Sequence, residues 1–322
     1  MKKQFGIILC LLGTIALIPI LLSCSISKMA VKSVSDVLTE SGSADVFTGD
    51  SDPELVGDAL PFAIKMYEAL LSRNPNHQGL LLTTGSLFIM YANAFVQTPA
   101  EMLDSVEYYE ERTAGLDRAK KLYLRGDDLL YSALDKKFKG FSTARAKDGS
   151  LDTLLKKCKK EDVPLLYWAA AGGMAAYSID VFDFSLGIRI PEWGAMMARA
   201  YELDPDFNNG AIDDFYIQYY ASLPESLGGD KAKAETHFNL ALEKSGFLAA
   251  GPYVSYASAI CVPAQDYDTF KENLEKALAI DPDKDPSNRL VNIISQKKAK
   301  YMLDNAYEYF SFLPRNDEDG DD

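Results

Sequence analysis

Long apolar stretches separated by short polar turns run along most of the chain, and they predict helices. Residues 80–96 and 165–179 are apolar on nearly every side, which indicates helices that are buried on most of their faces. Strand signals are scarce, since the alternation of apolar and polar residues at 181–184 is too short and too isolated to form a sheet. The pattern therefore predicts an all-α protein.

Capping residues and prolines mark three of the predicted helix starts. Asp52 and Thr98 are capping side chains that each precede a proline, the residue favoured at the first helical position. Glu101 follows Thr98 by three residues, which completes the pattern of a capping box. Pro191 is expected to open a further helix in the same way.

A recurring pattern of small, aromatic and aliphatic positions indicates repeats. Residues 266–282 resemble the second helix of a tetratricopeptide (TPR) repeat, and two earlier copies align with it. The aligned alanines are Ala200, Ala241 and Ala277, and a turn residue follows each by five positions, as Pro205, Gly246 and Pro282. The alanine spacings of 41 and 36 residues exceed the ideal repeat length. The loops between helices are therefore expected to carry insertions.

The repeats are degenerate and do not cover the whole chain. A looser copy lies at residues 66–75, Phe270 stands where the repeat usually has alanine, and residues 98–190 show no clear repeat. Small residues at fixed positions let paired helices approach closely, as they do in helical solenoids. We therefore predict a TPR-like α-α superhelix with extra packing helices over residues 53–314.

The N-terminus has the pattern of a bacterial lipoprotein signal. Lys2 and Lys3 precede an almost wholly apolar segment of 18 residues, 5–22, and this segment closes on a lipobox-like sequence that ends in Cys24. We expect a signal peptide at 1–23, a lipidated Cys24, a flexible tether at 24–52 and a disordered acidic tail at 315–322. The alternative is an uncleaved membrane helix, because the segment approaches the length that spans a bilayer.

Charge and cysteine content narrow the choice of function. Removal of residues 1–23 takes away two lysines and no acidic residue, which changes the net charge from −14 to −16. A nucleic-acid partner is not expected, because binding to the phosphate backbone needs clustered basic residues. Cys158 and Cys261 remain, either as a disulfide, which an envelope location permits, or as buried thiols.

Motifs for catalysis or for a cofactor are not found in the sequence. His77 and His237 have no cysteine or second histidine at metal-ligand spacing, and no nucleophile elbow or phosphate-binding loop accompanies them. His237 is expected to be a partly buried structural residue. We predict that the protein is not an enzyme and has no catalytic residues, no metal site and no cofactor.

Aromatic residues gather between positions 164 and 193, with both tryptophans among them. A glycine pair in this segment, Gly172-Gly173, is expected to allow close helix packing. The aromatic residues have two interpretations: a core, or the lining of an apolar cleft or channel that holds an amphipathic ligand. The candidate cleft residues are Tyr167, Trp168, Tyr177, Phe182, Phe184 and Trp193.

Most of the mature chain resembles the TPR-containing lipoprotein, or T component, associated with tripartite ATP-independent periplasmic (TRAP) transporters. The most specific matching segments are Gly85-Ser86-Leu87-Phe88 with Tyr91-Ala92-Asn93-Ala94-Phe95, Tyr167-Trp168-Ala169-Ala170-Ala171, and Leu227-Gly228-Gly229-Asp230-Lys231-Ala232 with His237-Phe238. This resemblance implies a transport accessory without enzymatic activity. It also implies a lipid-anchored protein in the cell envelope, on the periplasmic side of the inner or the outer membrane.

The resemblance further implies that the protein docks a periplasmic substrate-binding protein and passes a small apolar or amphipathic ligand through a cleft or channel. A homo-oligomer is compatible with it, a trimer being one form. Two other functions fit the residues alone: a TPR scaffold lipoprotein for envelope assembly, and a surface lipoprotein that stacks glycans on exposed aromatic rings.

Overall fold

The computed structural model describes residues 32–39 and 45–315, and the regular elements of these residues are all helical. The all-α prediction is thus confirmed for the described chain, whereas the TPR-like superhelix stays a prediction. The predicted signal peptide, Cys24, the N-terminal part of the tether and the acidic tail from residue 316 lie outside the described residues.

The ten helices to which the text below refers are numbered in chain order. They are α1 (Pro53–Arg73), α2 (Gln78–Ala92), α3 (Tyr109–Lys137), α4 (Val163–Ile179), α5 (Ile190–Leu203), α6 (Ala211–Ser222), α7 (Lys231–Lys244), α8 (Gly251–Tyr256), α9 (Tyr267–Ala279) and α10 (Arg289–Asp304). Short α-helical segments occur at 32–38, Asp45–Thr48, Ser150–Leu155 and Phe184–Gly187. Single 3₁₀ turns lie at Phe141–Thr143, Lys160–Asp162, Phe207–Asn209, Glu225–Leu227, Pro282–Lys284, Pro286–Asn288 and Ala306–Glu308.

The structure tests the three predicted helix starts. The Asp52 side chain accepts hydrogen bonds from two backbone amides at the start of α1, and Pro191 lies in the first turn of α5, so both predictions are confirmed. The start at Thr98 is wrong. α2 continues through a π-helical turn, Asn93–Gln97, into Thr98–Glu101, and the Thr98 amide bonds to the Asn93 carbonyl five residues back. This wider turn lets the helix continue through Pro99, a residue that would otherwise end it.

Close contacts between glycines and neighbouring helices hold α2, α3, α4 and α5 together. A Cβ atom on Gly126 of α3 would lie 2.7 Å from the Gly85 carbonyl oxygen of α2, and one on Gly172 of α4 would lie 2.5 Å from the Ile89 side chain. Both distances are shorter than real Cβ contacts, so a side chain at Gly126 would clash with the α2 backbone, and one at Gly172 would force the Ile89 side chain to move. α2 with its extension to Glu101 is long and apolar enough to cross a membrane, but over half of this stretch is buried inside the protein.

The buried side chains form two cores. The larger core extends from Val56 to Leu223 and includes Leu290, and the smaller one extends from Leu242 to Phe310. The predicted repeat alanines Ala200, Ala241 and Ala277 are each at most 1% exposed. They lie on α5, α7 and α9, so the repeat pattern falls on alternate helices.

The last helix packs back against the beginning of the described chain. α10 contacts α1 and the short helix Asp45–Thr48. Lys298 of α10 forms an ion pair with Glu101 at the end of the α2 extension, with 2.7 Å between nitrogen and oxygen. Among the even-numbered helices, α2 contacts α4, α6 contacts α8, and α8 contacts α10. α6 and α8 are thus in contact, and α4 comes near α6 where Tyr167 approaches Asp214.

Candidate functional site

The six predicted cleft residues do not lie in one place. Trp193 is fully buried in the larger core, and Tyr177 is partly buried beside it. Tyr167 and Trp168 lie on a partly exposed face of α4, whereas Phe182 and Phe184 are exposed on the loop between α4 and α5. The cleft itself stays a prediction, and only its Tyr167 and Trp168 part lies beside the polar site described below.

Trp193 is sealed between two helices. A Cβ on Gly173 of α4 would lie 2.2 Å from the Trp193 ring, so the glycine leaves the space that the indole fills. The expected role of Gly172-Gly173 in close packing is therefore confirmed. The indole nitrogen is buried and has no hydrogen-bond partner in the described structure. This position is consistent with a core residue rather than with a ligand contact.

A partly buried charged group lies beside Trp193. The Arg189 guanidinium is 5.1 Å from the Trp193 ring and 4.5 Å from the Tyr131 ring. It also lies 3.5 Å from the Asp127 carboxylate on α3. Burial raises the pKa of Asp127 to about 7. Arg189 is thus enclosed by aromatic faces and a carboxylate, an arrangement that joins α3 to α5.

The loop between α4 and α5 presents apolar side chains to solvent. Phe182 is 82% exposed and Phe184 is 86% exposed. Their backbone is held in place, because Lys120 of α3 bonds to the carboxylates of Asp180 and Asp183 at 2.9 and 2.8 Å. The two phenylalanines are therefore displayed on a fixed loop rather than packed.

Tyr167 and Trp168 form the aromatic part of the open face of α4. Their rings meet edge to face with 5.2 Å between centroids, and the Phe207 ring lies 5.1 Å from Tyr167. Burial raises the pKa of the Tyr167 hydroxyl, and the carboxylate of Asp214 raises it further. The aromatic face of α4 thus adjoins a carboxyl group of α6.

Asp214 is the polar centre of this face. Among the described residues its buried Oδ1 atom has no hydrogen-bond partner, and the nearby Ser255 hydroxyl of α8 acts to lower the pKa of the carboxyl group. Gln218, one turn further along α6, donates a hydrogen bond of 3.2 Å to the Ser255 hydroxyl. A Cβ on Gly251 would lie 3.1 Å from Asp214 Oδ2, so the α8 backbone comes close to the carboxyl group. Burial raises the pKa of Asp214 to about 6.

We call the set formed by Tyr167, Trp168, Asp214, Gln218 and Ser255 the α4–α6–α8 site. It combines aromatic rings with a buried carboxyl oxygen that lacks a donor. A group with these properties accepts a hydrogen bond from a bound molecule or from water, and the rings supply apolar contact. Aromatic rings with a few placed polar groups are the usual components of a binding site.

The adjacent residue, Asp213, faces a different side of α6, and both of its carboxylate oxygens are paired. It is 0% exposed, and its two oxygens meet His237 Nδ1 and Lys244 Nζ of α7, each at 2.7 Å. Burial would lower the pKa of Lys244, but the hydrogen bond to Asp213 raises it. His237 also lies between rings, 4.6 Å from Tyr216 and stacked at 5.6 Å on Tyr220. The prediction that His237 is a partly buried structural residue is confirmed.

The second histidine also has a structural position. His77 caps the start of α2, where its Nδ1 atom accepts from the Leu80 amide, and its Nε2 atom lies 2.8 Å from Asp36. Cys158 and Cys261 are free and buried, and they lie in different cores. Among the described residues, no group of three His, Cys, Asp or Glu side chains is able to hold a metal ion.

Sequence reasoning missed Asp214, Gln218 and Ser255. The signal for Asp214 was present, since it is one of two consecutive acidic residues in the otherwise apolar and tyrosine-rich helix α6. A charged residue within an apolar helix needs a partner or a ligand. The convergence of Ser255 from α8 depends on long-range packing and has no local sequence signal.

Comparison with known proteins identifies the family. The sequence model of the TRAP transporter T-component family matches residues 49–310. The chain is also 36% identical over 301 residues to an uncharacterized protein of Treponema pallidum (strain Nichols), and the alignment covers 89% of this chain and 93% of that protein. The family match spans both cores and all of the numbered helices. The chain therefore belongs to the T-component family of TRAP transporters.

Proposed function

We propose that this protein is a lipid-anchored accessory of a TRAP transport system, which docks a periplasmic substrate-binding protein and receives a small amphipathic ligand from it. The family match across residues 49–310 is the observation that carries the proposal. A family of transport accessory proteins needs binding surfaces rather than catalytic groups, and the α4–α6–α8 site is a binding constellation.

The ligand would enter along the faces of α4, α6 and α8 that carry the α4–α6–α8 site. These faces combine partly exposed aromatic rings, Tyr167 and Trp168, with the polar groups around Asp214. Binding sites for amphipathic molecules have this composition, mostly apolar with a few placed polar groups. We propose that this face forms part of the cleft or channel through which the ligand passes, within a TPR-like superhelix.

Docking is tested with the chain from residue 25 onward. This form keeps the contacts described here, because the described helices start at residue 32 and both cores lie within residues 56–310. We expect it to retain the substrate-binding protein encoded beside its gene in a pull-down at micromolar concentration. An unrelated periplasmic binding protein serves as the control. Absence of a complex with the cognate protein would contradict the docking proposal.

The lipid anchor is proposed to confine the docking surface near the membrane, which raises its effective concentration there. Metabolic labelling with a palmitate analogue is expected to mark the wild type and to leave Cys24→Ala unlabelled. Equal labelling of both forms, or none of the wild type, would contradict lipidation at Cys24. Transport is expected to fall in Cys24→Ala while the folded body stays intact.

A further inference from the structure

The α4–α6–α8 site contains a partly buried carboxyl group, that of Asp214, which has no cationic partner among the described residues. Three influences act on the pKa of Asp214: burial, the Ser255 hydroxyl and the carboxylate of Asp213. None of these, within the described chain, is a cation. A partly buried carboxylate that is stabilised by one hydroxyl and stands next to a second carboxylate lacks the counter-charge that buried carboxylates usually have.

Three buried aspartates elsewhere in the described fold differ from Asp214 in this respect. The buried carboxyls of Asp127, Asp162 and Asp213 each have a basic partner, which is Arg189, Lys137 and Lys244 respectively. Asp214 differs from these three in being partly exposed itself, and it lies near the partly exposed Tyr167 of α4. Its carboxylate therefore lacks a positive partner within the described chain and is open in part to a molecule that approaches from this face.

We propose that Asp214 binds the ammonium head group of an amphipathic amine whose apolar part lies against Tyr167 and Trp168. This inference rests on the proposed function, since it names the ligand class for the same face. The ammonium donates a hydrogen bond to the partly exposed Asp214 carboxylate and supplies the missing positive charge. The Tyr167 ring adds a cation–π contact, and the Trp168 and Phe207 rings border the apolar chain.

The proposal is tested with three probes that share a ten-carbon chain: decylamine, decanol and decanoate. Binding to the chain from residue 25 onward is measured by titration calorimetry at pH 7.5, below the micellar concentration of each probe. We expect decylamine to bind about tenfold more tightly than decanol, because a hydrogen bond between charged groups contributes about that difference in affinity. Decanoate is expected to bind weakest, because its carboxylate repels that of Asp214.

Asp214→Asn keeps the shape of the side chain and removes its charge, so decylamine affinity is expected to fall about tenfold while decanol affinity stays the same. Asp117→Asn removes the same charge from an exposed position on α3 and is expected to change neither. Ser255→Ala, which leaves the carboxylate, is expected to retain the preference for the amine.

Two results would overturn the inference. Equal affinity for the three probes, unaffected by Asp214→Asn, would show an apolar site without the ammonium contact, and the proposed passage of an apolar ligand would survive. Binding of none of the probes would overturn both the inference and the ligand-passing part of the proposed function. Docking to the substrate-binding protein is measured separately, so its failure is distinguishable from either result.

Discussion

The carboxylate of Asp213 on α6 meets two side chains of α7, whereas the next residue, Asp214, keeps one buried oxygen without a partner among the described residues. The tryptophans differ in the same way, because Trp193 is sealed against Gly173 while Trp168 lies on a partly exposed face. The sealed contacts join helices that are neighbours in sequence. The open face lies where α4, α6 and α8 approach one another. We interpret the unpaired Asp214 oxygen there as part of a binding site rather than as a contribution to stability.

The largest expected difference is between the two tryptophans. Trp193→Ala removes a fully buried indole and should lower the free energy of unfolding by about 3–5 kcal/mol, since large-to-small core changes cost this much. Trp168→Ala should cost less than about half of that, because part of its surface is already in water. Urea unfolding followed by circular dichroism measures both.

Trp193→Phe is the matched control for this comparison, since it keeps an aromatic ring in the space beside Gly173 and should cost less than the alanine change. Equal losses for Trp193→Ala and Trp168→Ala would show that the face of α4 is as tightly packed as the core. The distinction between a sealed and an open region would then be wrong for the aromatic residues.

The next effect concerns the two consecutive aspartates. Asp213→Asn leaves Lys244 and His237 without their buried counter-charge, and the free energy of unfolding should fall by about 3 kcal/mol at pH 7. Asp214→Asn removes a charge that lacks a cationic partner, so stability should stay within about 1 kcal/mol of the wild type or rise. Urea unfolding measures both variants under the same conditions, and a larger loss for Asp214→Asn would reverse the roles assigned to the two sides of α6.

The pH dependence of stability should reveal Asp214 directly. Burial raises its pKa to about 6 in the folded protein, above the value of an unfolded aspartate. The folded state therefore binds the proton first as the pH falls, and stability is gained below pH 7 and down to about pH 4. Between pH 7 and pH 5 the wild type should gain about 1 kcal/mol relative to Asp214→Asn.

This measurement is a difference between two proteins, so it cancels the contribution of other buried acids such as Asp127, whose pKa is raised to about 7. Unfolding curves at pH 7, 6 and 5 for both proteins give the result. A constant difference across this range would show that the Asp214 carboxyl is solvated like an ordinary surface aspartate.

Much of the fold was predictable from local signals. The apolar pattern predicted the helices, Asp52 predicted the start of α1, and the repeat alanines predicted buried positions on alternate helices. The helix start predicted at Thr98 was wrong, because the same capping-box residues also occur within a helix that continues through a π-helical turn. The local sequence does not distinguish the two cases.

The candidate site was only partly predictable. Tyr167 and Trp168 were named from their aromatic character, but that character does not distinguish them from Trp193 or from the exposed Phe182 and Phe184. Asp213 and Asp214 are identical residues about 100° apart around one helix, and the packing of α4, α7 and α8 decides which carboxylate is paired. These long-range contacts are determined by the whole fold, so a single sequence does not separate the two residues.

The smallest effect is expected at the exposed phenylalanines. Phe182→Ser combined with Phe184→Ser removes side chains that are 82% and 86% exposed, so the free energy of unfolding should change by less than about 0.5 kcal/mol. The loop backbone should keep its position, because Lys120 still pairs with Asp180 and Asp183. Lys120→Met is the contrasting variant, since it frees the loop and retains both rings. If the double serine variant lost more than about 1 kcal/mol in urea unfolding, these rings would have to be packed in solution, and the loop would belong with the sealed region rather than with the exposed surface.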